Sequence, residues 1–123
     1  MSRRWLVDAS NVIGSRPDGW WRDRAGATRR LVTALDDLAE RSGDEVTVVL
    51  DAGEPPPAAR VEVLVAPRRG PDAADDAIVE LLEARGGAGV CVVTSDAELG
   101  RRARALGAEV EGAGGFRRRL EPS

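Results

Sequence analysis

Three apolar runs in this chain end on an aspartate: Trp5-Leu6-Val7 leads into Asp8, Val46 to Leu50 into Asp51, and Val90 to Val93, through Thr94-Ser95, into Asp96. Short Val-rich runs with little polar alternation belong to strands covered on both faces, as in a parallel sheet. Helical spacing fills the segments between them, with Leu31, Leu35 and Leu38 in 22–41 and Ile78, Leu81 and Leu82 in 72–85. Strands alternating with helices predict one parallel α/β sheet with right-handed crossovers. In a sheet ordered 3-2-1-4-5, the strands ending near Asp8 and Asp96 are neighbours at the switch point, where ligands bind.

The other elements leave fainter marks. Residues 61–65 read as a strand, 98–106 as a helix and 109–111 as a short edge strand, while 14–21 and 51–57 are loops rich in Gly and Pro. The chain reads as a single domain over 1–123, long enough for one core and too short for two. Residues 114–120 have room for one more turn, and 114–123 is expected to be a loose tail.

Composition removes whole classes of chemistry. The chain has no histidine, and all 18 of its basic residues are arginine. It therefore lacks an imidazole base, a serine or cysteine triad of the usual kind, His-ligated zinc, a Schiff-base lysine and a P-loop lysine. The lone Cys91 excludes an intrachain disulfide and a Cys-rich zinc site, and reads as a core residue. No run of about 18 apolar residues and no signal-peptide pattern is present, so the expected location is cytoplasmic. With a formal charge of -3, arginine content alone does not announce nucleic acid; what matters is whether the charges segregate in space.

What remains for chemistry is carboxylate, hydroxyl and guanidinium. Asp8, Asp51 and Asp96 stand at strand ends, and Asp72, Asp75 and Asp76 share one face at the start of a helix. Mg²⁺ and Mn²⁺ prefer oxygen donors and are held by a few carboxylates with water and substrate phosphate, so this pattern reads as a divalent-metal site. Asp72 suits a helix cap, and Asp51 serves equally as the start of its loop. Glu98 extends the cluster or merely solvates its helix, and Asn11 orients substrate, bonds Asp8 or caps its own backbone. Ser10, Thr94 and Ser95 have no visible base and are expected to donate hydrogen bonds rather than attack.

Trp20 and Trp21 form the one aromatic pair, flanked by Arg16, Arg22 and Arg24. They offer either a stacking platform for unpaired bases with arginines for phosphates, or an anchor for the first long helix. Arg101, Arg102 and Arg104, and Arg117 to Arg119 in the tail, fit an RNA-binding surface or a solvated helix face equally well.

Four motifs, in order, carry a resemblance: Val7-Asp8-Ala9-Ser10-Asn11-Val12-Ile13, Val49-Leu50-Asp51-Ala52, Ala74-Asp75-Asp76-Ala77-Ile78 and Val93-Thr94-Ser95-Asp96-Ala97-Glu98-Leu99. Together they resemble the NYN-domain, YacP-like branch of the PIN-like nucleases. The resemblance implies a PIN-like three-layer α/β/α fold and a ribonuclease dependent on Mg²⁺ or Mn²⁺, working at the C-terminal strand ends. By motif, Asp8, Asp75 and Asp96 take the core metal-binding and catalytic positions, with Asn11, Asp51, Asp76 and Glu98 in support. Where the family often has Gly-Tyr between its first Asp and its Asn, this chain has Ala9-Ser10. On this reading Asn11, Ser95, Trp20, Trp21, Arg22 and Arg101 face single-stranded or structured RNA. A noncatalytic RNA-binding or partner-docking module and a phosphohydrolase of small nucleotides stay open beside it, as does a homodimer or protein partner.

Overall fold

β1 (Arg4–Asp8) lies at the centre of a five-stranded parallel sheet, between β2 (Glu45–Leu50) and β4 (Val90–Val93), with β3 (Glu62–Val65) and β5 (Glu109–Glu111) at the edges. The order is therefore β3-β2-β1-β4-β5, as expected of the switch-point arrangement. The computed structural model describes residues 3–15 and 19–121. In the register, Asp8 pairs with Val49 on one side while Val7 pairs with Val93 on the other. That places Asp8 and the Thr94–Asp96 segment at the same edge of the sheet.

Side chains alternate across a strand, and the apolar runs supply both faces. Trp5, Val7, Val46, Val48, Cys91 and Val93 join one core with α1 (Ala9–Gly14), α2 (Arg24–Ser42) and α5 (Ala113–Leu120). Leu6, Val49, Val90 and Val92 join the other with α3 (Ala73–Arg85) and α4 (Ala97–Ala105). The result is the expected three-layer α/β/α domain.

Local chemistry fixes the helix ends. Asp23 caps α2 by accepting from the Gly26 N–H at 2.9 Å, and Gly26 has no Cβ because one would collide with that carboxylate. At the other end Gly43, with φ of 77°, takes the left-handed turn that closes the helix.

Three features depart from the expectations above or go beyond them. The segment after Asp8, for which no element was expected, is helical; α1 spans six residues, too few to show apolar periodicity, and Ala9 and Val12 are its only buried members. The β2–β3 connection contains no helix, so strand and helix do not alternate throughout. It is pinned instead by Asp36 of α2, whose carboxylate accepts from the N–H groups of Ala59, Arg60 and Val61, each at 2.9 Å. Burial works against that charge, but the three donors hold the Asp36 carboxyl below its ordinary range.

The third is a correction at the C-terminus, since residues 114–120 are not a loose tail. They belong to α5, whose Phe116 is fully buried, its ring 5.1 Å from that of Trp5. A buried aromatic contributes several kcal/mol through area and packing. Among the described residues, no helix is long and apolar enough to cross a membrane.

If α5 is part of the core, Phe116→Ala should lower unfolding free energy by about 3–5 kcal/mol in urea titration. A loss below about 1 kcal/mol would show that the helix is peripheral.

Candidate active site

Asp8 ends β1 and is only 4% exposed. Its Oδ2 accepts from the Thr94 hydroxyl at 3.3 Å, and the same hydroxyl oxygen accepts from the Asp96 N–H at 3.1 Å. Thr94 thus joins the ends of β1 and β4. Asp96 caps α4, its Oδ1 accepting from the Leu99 N–H at 2.9 Å. Asn11 Oδ1 accepts from the Ser95 N–H at 2.6 Å, and Ser95 Oγ accepts from the Ala113 N–H at 2.9 Å. The loop after β4 is consequently tied to α1, α4 and α5 at once.

Charges gather where these ties meet. Burial, followed by the charges of Asp75 and then Asp96, pushes the Asp8 carboxyl up to about 6, although the Asn11 backbone N–H and the Thr94 hydroxyl pull the other way. Asp75 is raised as well, by burial first and then by Asp96, Asp72 and Asp76, with Arg102 opposing them. The charges of Asp75 and Asp96 therefore reach Asp8, and that of Asp96 reaches Asp75, although their elements are far apart in the chain.

The other expected site residues are placed more loosely. Asp76 is paired with Arg102 of α4, Oδ1 to Nη1 at 3.3 Å, and Glu98 is paired with Arg101 on the surface. Asp51 is exposed just beyond β2, and Asp72 stands at the N-cap position before α3 but makes no side-chain capping bond, contrary to the cap expected there. Among the described residues, no three His, Cys, Asp or Glu side chains are arranged to hold a metal ion together.

Trp20 and Trp21 lie in a single 3-10 turn, Trp20–Arg22, ahead of α2. Trp20 is half-buried and Trp21 is 56% exposed, their rings 6.2 Å apart edge to face. Arg24 covers the Trp20 ring at 5.3 Å, and Arg22 covers that of Trp21 at 5.8 Å. One ring is thus partly packed against the protein and the other open to solvent. Arg16 lies outside the described residues. The tail arginines divide, with Arg119 forked onto Glu111 at 2.8 Å and Arg117 turned inward to Ser15.

Two contributions had weak signals in the sequence. Thr94 reads as a donor, but its bridging of two aspartates depends on strand register. The Arg102–Asp76 pair joins two helices and has no local pattern that could announce it.

A parallel sheet of this order, with aspartates at the ends of β1 and β4 and at the start of α3, fits a nuclease-type PIN-like domain, the class to which the family and structural comparisons assign the chain. The chain belongs to the YacP-like NYN domain family, whose sequence model matches residues 5–123. Among solved structures it is similar to Rae1 (YacP) from Bacillus subtilis. A tryptophan-to-leucine variant of that protein superposes with a TM-score of 0.81 at 26% identity, covering 98% of this chain and 75% of the other. A second structure of Rae1 gives 0.79 at 26%, covering 94% and 72%. No curated protein matches the chain in sequence.

The raised Asp8 has a thermodynamic consequence. Unfolded, it loses its proton near 3.8, whereas folded it keeps it to about 6, so its contribution is full below the first value and lost as pH rises through the second. The penalty above pH 6 is about 3 kcal/mol. In metal-free buffer, Asp8→Asn should gain stability relative to the parent as pH rises from about 4 to about 6, read as the difference between two urea series. A constant difference across that window would mean that Asp8 ionises normally.

Proposed function

We propose that this chain is a metal-dependent ribonuclease that hydrolyses RNA internally at the Asp8–Asp75–Asp96 crevice. The observation that carries this reading is the buried Asp8 carboxylate, pushed up by burial and by Asp75 and Asp96. Like charges crowded at a switch point are costly unless a cation neutralises them.

The donor set suits Mg²⁺ or Mn²⁺, because the crevice offers carboxylate oxygens and the sequence has no histidine. Mg²⁺ is commonly held by one or two carboxylates and several waters, so a closed cage of three protein ligands is not required. Asp8, Asp75 and Asp96 would hold the ion, with Asp51, Asp76 and Glu98 in supporting positions. When bound, such an ion polarises a phosphate oxygen and makes hydroxide available near neutral pH.

The protein's own part is positioning. Thr94 holds Asp8 and the turn into Asp96 in one arrangement, and Asn11 fixes the Ser95 amide. Asn11 and Ser95 would meet substrate beside Asp8 and Asp96, Trp21 and Arg22, with Trp20 next to them, would offer a ring and a guanidinium to an unpaired strand, and Arg101 on α4 would supply a separate phosphate contact. A noncatalytic module has no need for an uncompensated buried carboxylate, which favours the enzyme over the docking reading.

End-labelled RNA incubated with Mn²⁺ should be cut at internal positions by the parent. Asp8→Asn and Asp96→Asn should each lower the rate by at least about a hundredfold, and EDTA should abolish it. Undiminished cutting by both variants would remove the crevice from the reaction. Independently, Trp21→Ala should weaken RNA binding by about 1–3 kcal/mol in a filter-binding titration, with no change in melting temperature.

A further inference from the structure

On the face of the sheet that carries α1, α2 and α5 runs a groove of about 400 Å³. Its walls are apolar, with Ile13, Leu31, Ala34 and Leu120, and Trp20 stands along it. Arg30 and Arg117 reach it from opposite sides, against a single carboxylate, Glu121. Arg24, stacked on Trp20, adds to the cationic rim. Among the described residues, none of Arg24, Arg30 and Arg117 is ion-paired.

The contrast with the other large cavity is informative. That one, about 540 Å³, opens at the opposite end of the sheet, and two of its three arginines are already engaged. Arg4 faces Glu45 at 3.3 Å and Arg85 meets Glu62 at 2.8 Å. In a chain of net charge -3, the α1–α2–α5 groove brings two arginines against one carboxylate among the described residues.

Arg117 sharpens the point. Its Nη1 donates to the Ser15 carbonyl at 2.8 Å and to Ser15 Oγ at 3.2 Å, while its Nε is buried with no partner among the described residues. The groove also approaches Asp8 along α1. Val12 lines it and lies about one helical turn along α1 from Asp8.

We infer that this groove is a subsite for the strand flanking the cut, taking an unpaired base against Trp20 and Ile13 and its phosphates on Arg30 and Arg117. Apolar walls with an aromatic side suit a base, and guanidiniums at the rim suit phosphate; an apolar helix of a protein partner would leave those charges unmatched. The inference rests on the ribonuclease reading for the class of ligand, but not on catalysis.

The test is the affinity of a short fluorescein-labelled oligouridylate in EDTA, where nothing is cut. Ala34→Leu, which fills the groove from the half-exposed side of a helix, should weaken binding roughly tenfold with an unchanged melting curve. Arg30→Gln and Arg117→Gln should do the same and flatten the salt dependence. Parental affinity in all three variants, or no binding by the parent, would overturn the subsite. So would sedimentation showing that Ala34→Leu dissolves a dimer, which would give the groove to a second copy. Failure of the catalytic reading would appear separately, as cutting untouched by Asp8→Asn alongside a tenfold loss in the groove variants.

Discussion

Asp8 carries a carboxylate to the end of the central strand, where 4% of its surface meets solvent and two further aspartates act on it. Burial of a charge costs free energy unless hydrogen bonds or an opposite charge compensate. Here the compensation is partial: one threonine hydroxyl at 3.3 Å and a nearby amide. The surrounding architecture serves to hold this arrangement in place. β1 is paired on both sides, so Asp8 cannot retreat toward solvent without disturbing two ladders. Thr94, Ser95 and Asp96 then bond to α1, α4 and α5, fixing the crevice wall from three directions.

The two faces of the sheet have different tasks in this design. α3 and α4 bring Asp75, Asp76 and Arg102 to the crevice, and Arg102 partly offsets the charge of Asp75 while engaging Asp76. α1, α2 and α5 bring the aromatic turn and the arginine-rimmed groove. Acidic and cationic groups are thereby separated within a chain of modest net charge, and on the proposed function that separation lets an acidic protein approach a polyanion.

Much of the architecture was legible because it rests on short-range patterns. The Val-rich runs revealed β1, β2 and β4, and the strand-end aspartates marked the edge where the site forms. The missed elements had no such pattern. α1 is too brief for periodicity, the β2–β3 connection is held by Asp36 through amides that no sequence motif encodes, and α5 is arginine-rich with Phe116 as its sole large, fully buried side chain. Within the site, residue types pointed to carboxylates, while their mutual coupling and the pairing of Asp76 and Glu98 with arginines depend on tertiary placement.

A cation entering the crevice must meet an ionised Asp8, so binding near pH 6 should displace a proton. Calorimetric titration of the parent with Mn²⁺ at that pH, repeated in buffers of different ionisation enthalpy, measures that proton directly. The account predicts a release of about half a proton per ion bound, absent in Asp8→Asn. Binding of Mn²⁺ with no proton release, or with the same release in Asp8→Asn, would contradict the claim that this buried carboxylate is the centre of the site.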